Sequence, residues 1–265
     1  MSRAPGRTGR AGRHRRRPGS QGAIAITGRR AVAEAVQAGQ AREVLVAAAA
    51  RSTPALRDVL DAAGAAGVPV HTVDRSDLDR LGPDHHGVAA TVRPPRPLGE
   101  RDLAAHPFGD RALAVVLDGI TDPHNLGACA RVAEAAGAEA LVTRDRRAAA
   151  LTATAVRASA GALLHLPVAR VANVHRSLER LRSEASFTVV GLDERAPRSV
   201  LEAEPPAGRL ALVVGSEGEG MARLTREACD ELVSLPMRGR VASLNASTAL
   251  AAAVFAYALR RGEST

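Results

Sequence analysis

Aromatic residues are almost missing from this chain: 2% of 265 residues, with no tryptophan, one tyrosine and three phenylalanines. Recognition of single-stranded RNA by stacking bases on aromatic platforms is therefore excluded as the main binding mode. Lysine is missing too, and the basic residues are arginines. The two cysteines, Cys129 and Cys229, lie far apart and make no metal-ligand spacing, so no metal site is expected. Such sparse cysteine usage fits a reduced, cytoplasmic chain. No apolar run resembles a signal peptide or a membrane span. The longest apolar segment, Ala246 to Leu259, is interrupted by Ser247, Thr248 and Tyr257. Neither G-x-G-x-x-G nor a Walker loop is present.

What the chain does have is apolar content and positive charge. Hydrophobic residues make up 46%, mostly Ala, Val and Leu, and the formal net charge is +8 with a pI of about 11.1. A GC-rich genome accounts for Arg in place of Lys, but not for the net charge. Arginine suits bidentate phosphate contact, so a polyanionic partner is expected. Residues 1–21, rich in Arg, Gly, Pro and Ser, have almost nothing to bury and read as a disordered basic tail. Such a tail either scans RNA or is an idle solvated extension.

Residues 22–93 read as a small α/β unit. "AITGRRAVAEAVQAG" has helical spacing with Val32 and Val36 on one face and Gly39 at its end. "REVLVAA", "VPVHTV" and "HGVAATV" read as strands. "STPALRDVLDAAGAAG" is a helix opened by Ser52 or Thr53 with Pro54 in its first turn. "RPPRPLG" follows, whose prolines suit neither a helix nor a central strand; it starts a linker over residues 94–112. Residues 113–262 alternate strands and helices throughout, which predicts a mostly parallel sheet covered on both faces.

In such a sheet, ligands collect where strands end and loops enter helices. Four polar clusters fall at such ends: "DPHN" with Arg131 beyond it, "GLDE", "GSEGEG" and "LPMRGRVASLNAS". Singly each has an ordinary reading as a turn or a helix cap. The glycine turn carries Glu217 and Glu219, and a carboxylate beside a pyrophosphate costs about 4 kcal/mol per close pair at intermediate dielectric. A ligand with a positive centre or a neutral sugar suits that turn better than a dinucleotide.

Taken in order, "LDGITDPHNLGACARVAEAAGA", "LALVVGSEGEGMARLT" and "SLPMRGRVASLNAS" resemble the three motifs of the SpoU (TrmH-type) RNA ribose 2′-O-methyltransferases. The resemblance covers about Leu113 to Arg261. Residues 24–92 resemble the L30e-like substrate domain that precedes the catalytic domain in some members. Within the family, the motifs look most like those of the enzymes that methylate a guanosine of 23S rRNA. Other members act on tRNA or confer antibiotic resistance through rRNA, and a non-catalytic RNA-binding protein is the alternative class. Ala246 stands where Val is commoner in the third motif.

The resemblance implies an α/β fold with a knotted (SPOUT-type) parallel-sheet domain. It also implies S-adenosylmethionine as cofactor, held by backbone around Gly191, Leu192, Gly215, Leu235 and Leu244, with no metal. Catalysis falls to Arg131, Asn125, Glu217, Asn245, Ser247 and Ser243. Arg131 acts on the ribose hydroxyl as base or, since a guanidinium stays charged in proteins, as stabiliser of the developing alkoxide. Glu217 is read as a partner of Arg131 or as the proton acceptor. RNA, most of all 23S rRNA, is the expected partner. A homodimer is also expected, paired through the last helix, where Leu250, Val254 and Tyr257 recur at i, i+4, i+7.

Overall fold

The computed structural model describes residues 23–82, 84–240 and 243–262. The basic tail over residues 1–21 lies outside the described residues. The first unit comprises β1 (Ile24–Thr27), α1 (Arg29–Gln37), β2 (Ala41–Ala47), α2 (Pro54–Ala65), β3 (Val70–Val73), α3 (Arg75–Leu81) and β4 (Val88–Val92). Its four strands lie in the order β1-β4-β2-β3; β4 runs antiparallel to both its neighbours, while β2 and β3 are parallel. Thr53, not Ser52, caps α2: its hydroxyl accepts from Leu56 N at 3.3 Å, and Pro54 needs no donor at the first position. In α1, Val32 and Val36 are buried as their spacing predicts.

β1 corrects the reading of the first helix. "AIT" shares an apolar pattern with the helix that follows, yet Ile24–Thr27 pairs with Val92–Ala89 of β4. Gly28, at φ 96°, breaks the two apart. Long-range strand pairing of β-branched Ile26 and Thr27 overrides a local helical pattern here.

The linker is structured. Leu98 N donates to Val168 O at 2.8 Å, Arg170 N donates to Leu98 O at 2.9 Å, and α4 (Glu100–Ala104) follows. The second unit then runs β5 (Leu113–Asp118), α5 (Pro123–Ala135), β6 (Ala140–Arg144), α6 (Ala153–Ala158), a 3-10 turn over Ala162–Leu164, β7 (Val168–Val171), α7 (Val174–Ala185), β8 (Phe187–Leu192), β9 (Arg209–Gly215), α8 (Arg223–Glu227), β10 (Glu231–Val233) and α9 (Ala246–Gly262). Three elements depart from expectation. α6 is shorter than its sequence pattern, because Ala160 and Gly161 both adopt positive φ. β7 comes from a piece too short to assign from pattern. β10 keeps only three residues, as the chain leaves the sheet before Pro236.

All six strands of the second sheet are parallel, in the order β10-β8-β9-β5-β6-β7. Along β5, Leu113, Val115 and Leu117 join the apolar cluster that includes α5 and α9. The intervening Ala114 and Val116 face the cluster built with α4 and α7. That alternation is the period-two signature of a sheet covered on both faces. The first cluster continues into the first unit, and the Glu34–His165 pair at 3.0 Å crosses between the two. Strand order reverses at β5/β9, where a doubly covered parallel sheet opens a crevice. No described helix is long and apolar enough to cross a membrane.

Candidate active site

The glycine turn follows β9. Ser216 N donates to Gly220 O at 3.1 Å and Gly220 N to Ser216 O at 2.9 Å, closing a small loop. Gly215 faces that loop's own return: a Cβ there would sit 2.1 Å from Gly220 C and 2.3 Å from Met221 N. Its lack of a side chain thus lets the loop fold back against residue 215. Gly191 is similar, since a Cβ would meet Cys229 Sγ and Met221 Cε, both at 2.8 Å.

A buried carboxylate anchors this region. Asp118, at the end of β5, has a side chain 1% exposed; Oδ1 pairs with Arg144 Nη2 at 2.5 Å, and Oδ2 accepts from Ala222 N at 2.8 Å. It ties the exit of the glycine turn to the end of β6. Sequence reading passed over it, although an acid closing the apolar run "LAVVLD" was the available signal.

Beside the turn lies a cavity of about 380 Å³. Leu192, Gly215, Leu235 and Leu244 line it, as do Glu217 and Ser243. Gly191 is not among its lining residues; it packs one position behind the wall. The wall also holds the Asp193–Arg226 pair, 2.5 Å apart, and Met221 and Met237. Asp193, Glu194, Glu217 and Glu219 face Arg195 and Arg226, so carboxylates outnumber guanidiniums. Apolar walls with surplus negative charge fit a ligand carrying an apolar base and a sulfonium, and they repel a polyphosphate. No group of residues able to hold a metal ion occurs among the described residues.

At the edge of the cavity, side chains from three loops lock together. Asn125 Nδ2 donates to Glu217 Oε1 at 2.8 Å. Asn245 Nδ2 donates to the same oxygen at 2.7 Å and to Asn125 Oδ1 at 2.9 Å. Asn245 Oδ1 accepts from Ser247 N at 2.9 Å and Ser247 Oγ at 2.7 Å. Because Asn245 Oδ1 receives two donors, its amide group is oriented with the nitrogen toward Glu217. Glu217 Oε2 has no partner among the described residues.

Arg131 stands apart. It follows Asn125 on α5 by six residues, so it lies about 9 Å further along the axis and about 120° round it. It is exposed and has no ion pair among the described residues. Among the described residues Glu217 Oε1 is held by the amides of Asn125 and Asn245, in place of the expected contact with Arg131.

Both cysteine thiols have their pKa raised by their surroundings. Burial, reinforced by the charge of Glu217, pushes the Cys129 thiol up to about 12. Burial and the neighbouring Asp230 push Cys229 up to about 12. The last helix also differs from expectation. Leu250, Val254 and Tyr257 are at most 1% exposed, packed against their own fold, so they are not free to meet a second subunit.

The sequence profile of the SpoU rRNA Methylase family matches residues 112–257, and that of the RNA 2′-O ribose methyltransferase substrate-binding domain matches residues 25–98. The chain belongs to the SpoU rRNA methylase family. It is accordingly an S-adenosylmethionine-dependent RNA ribose 2′-O-methyltransferase with an α/β fold and a smaller α/β unit ahead of the catalytic sheet. Among SpoU relatives, a 23S rRNA (guanosine-2′-O-)-methyltransferase RlmB of Salmonella typhi is 43% identical over 211 residues, spanning 77% of this chain and 85% of that one. The solved SpoU methyltransferase AviRb from Streptomyces viridochromogenes, in complex with AdoMet, superposes with a TM-score of 0.76 at 26% identity, covering 92% of each chain. The crystal structure of an RNA 2′-O ribose methyltransferase gives a TM-score of 0.76 at 30% identity, covering 92% of this chain and 90% of the other.

Proposed function

We propose that this SpoU enzyme methylates the ribose of a guanosine in 23S rRNA. The Asn125–Glu217–Asn245–Ser247 network carries the reading: it assembles polar groups from three separate loops at the edge of a cavity suited to S-adenosylmethionine. Similarity to RlmB proteins over most of their length favours this substrate over tRNA.

The cavity walls at Leu192, Leu235 and Leu244, with the glycine turn behind them, hold the cofactor, which supplies a methyl group activated on a sulfonium. Everything else falls to the chain. Positioning is the chief contribution, because a displacement at methyl carbon needs oxygen, carbon and sulfur in line. Glu217, fixed through Oε1, offers Oε2 to the ribose hydroxyl as hydrogen-bond or proton acceptor. Asn125 and Asn245 keep that carboxylate from rotating. Ser247 fixes Asn245, and Ser243 closes the cavity on the same side. Arg131 stabilises the developing alkoxide or grips the adjacent phosphate.

A knotted topology is part of the reading, supported by the family match over residues 112–257. The unit over residues 22–93 serves as the RNA-binding domain. A homodimer is part of the reading, but through a different face of α9: Thr248, Ala252 and Phe255 form an exposed stripe, with Phe255 41% exposed. Its substrate places the enzyme in the cytoplasm. Ribose-methylation mapping of total RNA from a deletion strain tests the assignment. Loss of one guanosine mark in 23S rRNA is expected; an intact 23S pattern with a missing tRNA mark would reassign the substrate.

A further inference from the structure

The end of β6 and the loop leaving it carry four charged residues in a row, Arg144-Asp145-Arg146-Arg147. Two of the four are neutralised within the fold. Arg144 pairs with buried Asp118, and Asp145 meets Arg170 through Nε at 3.4 Å and through its carbonyl oxygen at 2.5 Å. Arg146 and Arg147 are exposed and have no acidic or hydrogen-bonding partner among the described residues. Counting the loop with its partners Asp118 and Arg170 leaves two uncompensated positive charges.

The loop is nonetheless held firmly. The Asp118 pair fixes its start, and Ala149 N donates to Ile120 O at 3.0 Å where Ala149 is buried, fixing its end. Ile120 belongs to the segment that leads from β5 to Asn125. In the sheet, Asp118 lies opposite Gly215 of β9, and Leu117 lies opposite Thr143 of β6. The arginine loop and the glycine turn are thus two strand spacings apart, about 10 Å. Arg147 has φ 54°, a left-handed conformation that a long L side chain adopts at a cost. Glycine would relieve it, and the position carries a guanidinium instead.

We infer that Arg146 and Arg147 form a phosphate clamp for the RNA strand flanking the target ribose. It is anchored through Asp118 to the same strand end that supports the cofactor loop. The inference rests on the RNA-methyltransferase reading above and adds a positioning site to it. Two exposed guanidiniums on a braced loop recognise a phosphodiester backbone by charge and geometry without reading base identity.

The test compares wild type, Arg146→Ala/Arg147→Ala and Arg147→Gly in methyl transfer to an unmodified 23S rRNA transcript, with KM for RNA taken over a salt series. Activity of the wild type on the transcript checks the underlying reading separately, since an inactive wild type sinks that reading first. With wild type active, the double variant is expected to raise KM about tenfold and to lower the salt slope by about 1.5, with kcat at saturating RNA and S-adenosylmethionine affinity unchanged. Arg147→Gly is expected to melt no lower than wild type and still to raise KM for RNA, which separates lost contact from lost fold. Wild-type KM and salt slope in either variant overturn the clamp. So does a fall in kcat without a change in KM.

Discussion

Two polar regions of the catalytic unit are built in opposite ways. Asn125, Glu217, Asn245 and Ser247 satisfy one another at 2.7–2.9 Å before any substrate arrives. Arg131, Arg146 and Arg147 stand exposed with no acidic partner among the described residues. The neutral and anionic part of the site is preorganised by the protein, whereas the cationic part is left for the RNA to complete. This division follows from energetics. Orienting hydrogen bonds are useful only if made in advance, while a guanidinium already paired with a carboxylate has less to offer a phosphate.

Breaking the cationic side should cost most in chemistry. Arg131→Ala is expected to slow methyl transfer by about a hundredfold or more, as removal of a charge-stabilising group does, with S-adenosylmethionine affinity retained. Single-turnover kinetics beside calorimetric titration measure the two, and near wild-type turnover would leave Arg131 a plain surface residue.

On the preorganised side, Asn245→Ala strips Glu217 and Asn125 of a shared partner. A loss of about tenfold to a hundredfold in turnover is expected, the size of an orphaned polar contact. Combining it with Asn125→Ala should add less than the sum of the two losses, since both act through Glu217. Full additivity in that double-mutant cycle would mean the network does not work as a unit.

Gly215→Ala sharpens the comparison from beneath, because it disturbs the loop that carries Glu217. A methyl group 2.1 Å from Gly220 C forces the turn outward. Cofactor affinity should fall about tenfold, and overpacking of about 1–3 kcal/mol should lower the melting temperature by several degrees. Unchanged affinity in calorimetry would show that the turn is not part of the cofactor wall.

Smaller effects come from outside the site. Deleting residues 1–20 should reduce the salt dependence of RNA binding without changing the nucleotide modified, because an arginine-rich tail offers charge and no base-reading chemistry. Equal slopes would make the tail idle. Cys129, Cys229 and Tyr257 all have acid groups raised in the fold to about 12 from 9.0, 9.0 and 10.0. The unfolded chain therefore loses these protons first. Their contribution to stability is complete below about pH 9 and is lost as the pH rises from there to about 12. Denaturant titrations across that range should show the decline, and native thiols should resist alkylation at neutral pH. Rapid alkylation of Cys129 in the folded protein would contradict its burial.

Much of this architecture was legible in the chain itself. The alternating strands and helices gave the parallel sheet, and the spacing of Val32 and Val36 gave the buried face of α1. Polar clusters at strand ends gave the cavity. The rest depended on distances that no local pattern contains. β1 is a strand because β4 pairs with it, not because "IAIT" looks like one. Gly215 is required by the loop's own return, a contact between residues that no local pattern places together. Leu250, Val254 and Tyr257 look like a stripe for a partner until α5 and β9 cover them. Asp118 could be seen as an acid closing an apolar run, but what it anchors could not, because its partners Arg144 and Ala222 are remote in sequence.

The central claim is tested most directly by incubating the purified protein with S-adenosylmethionine and an unmodified 23S rRNA transcript, then digesting the RNA to nucleosides for mass spectrometry. The account predicts 2′-O-methylguanosine at a single position, absent with Arg131→Ala. A methyl group on a base, or transfer to tRNA and none to 23S rRNA, would contradict it.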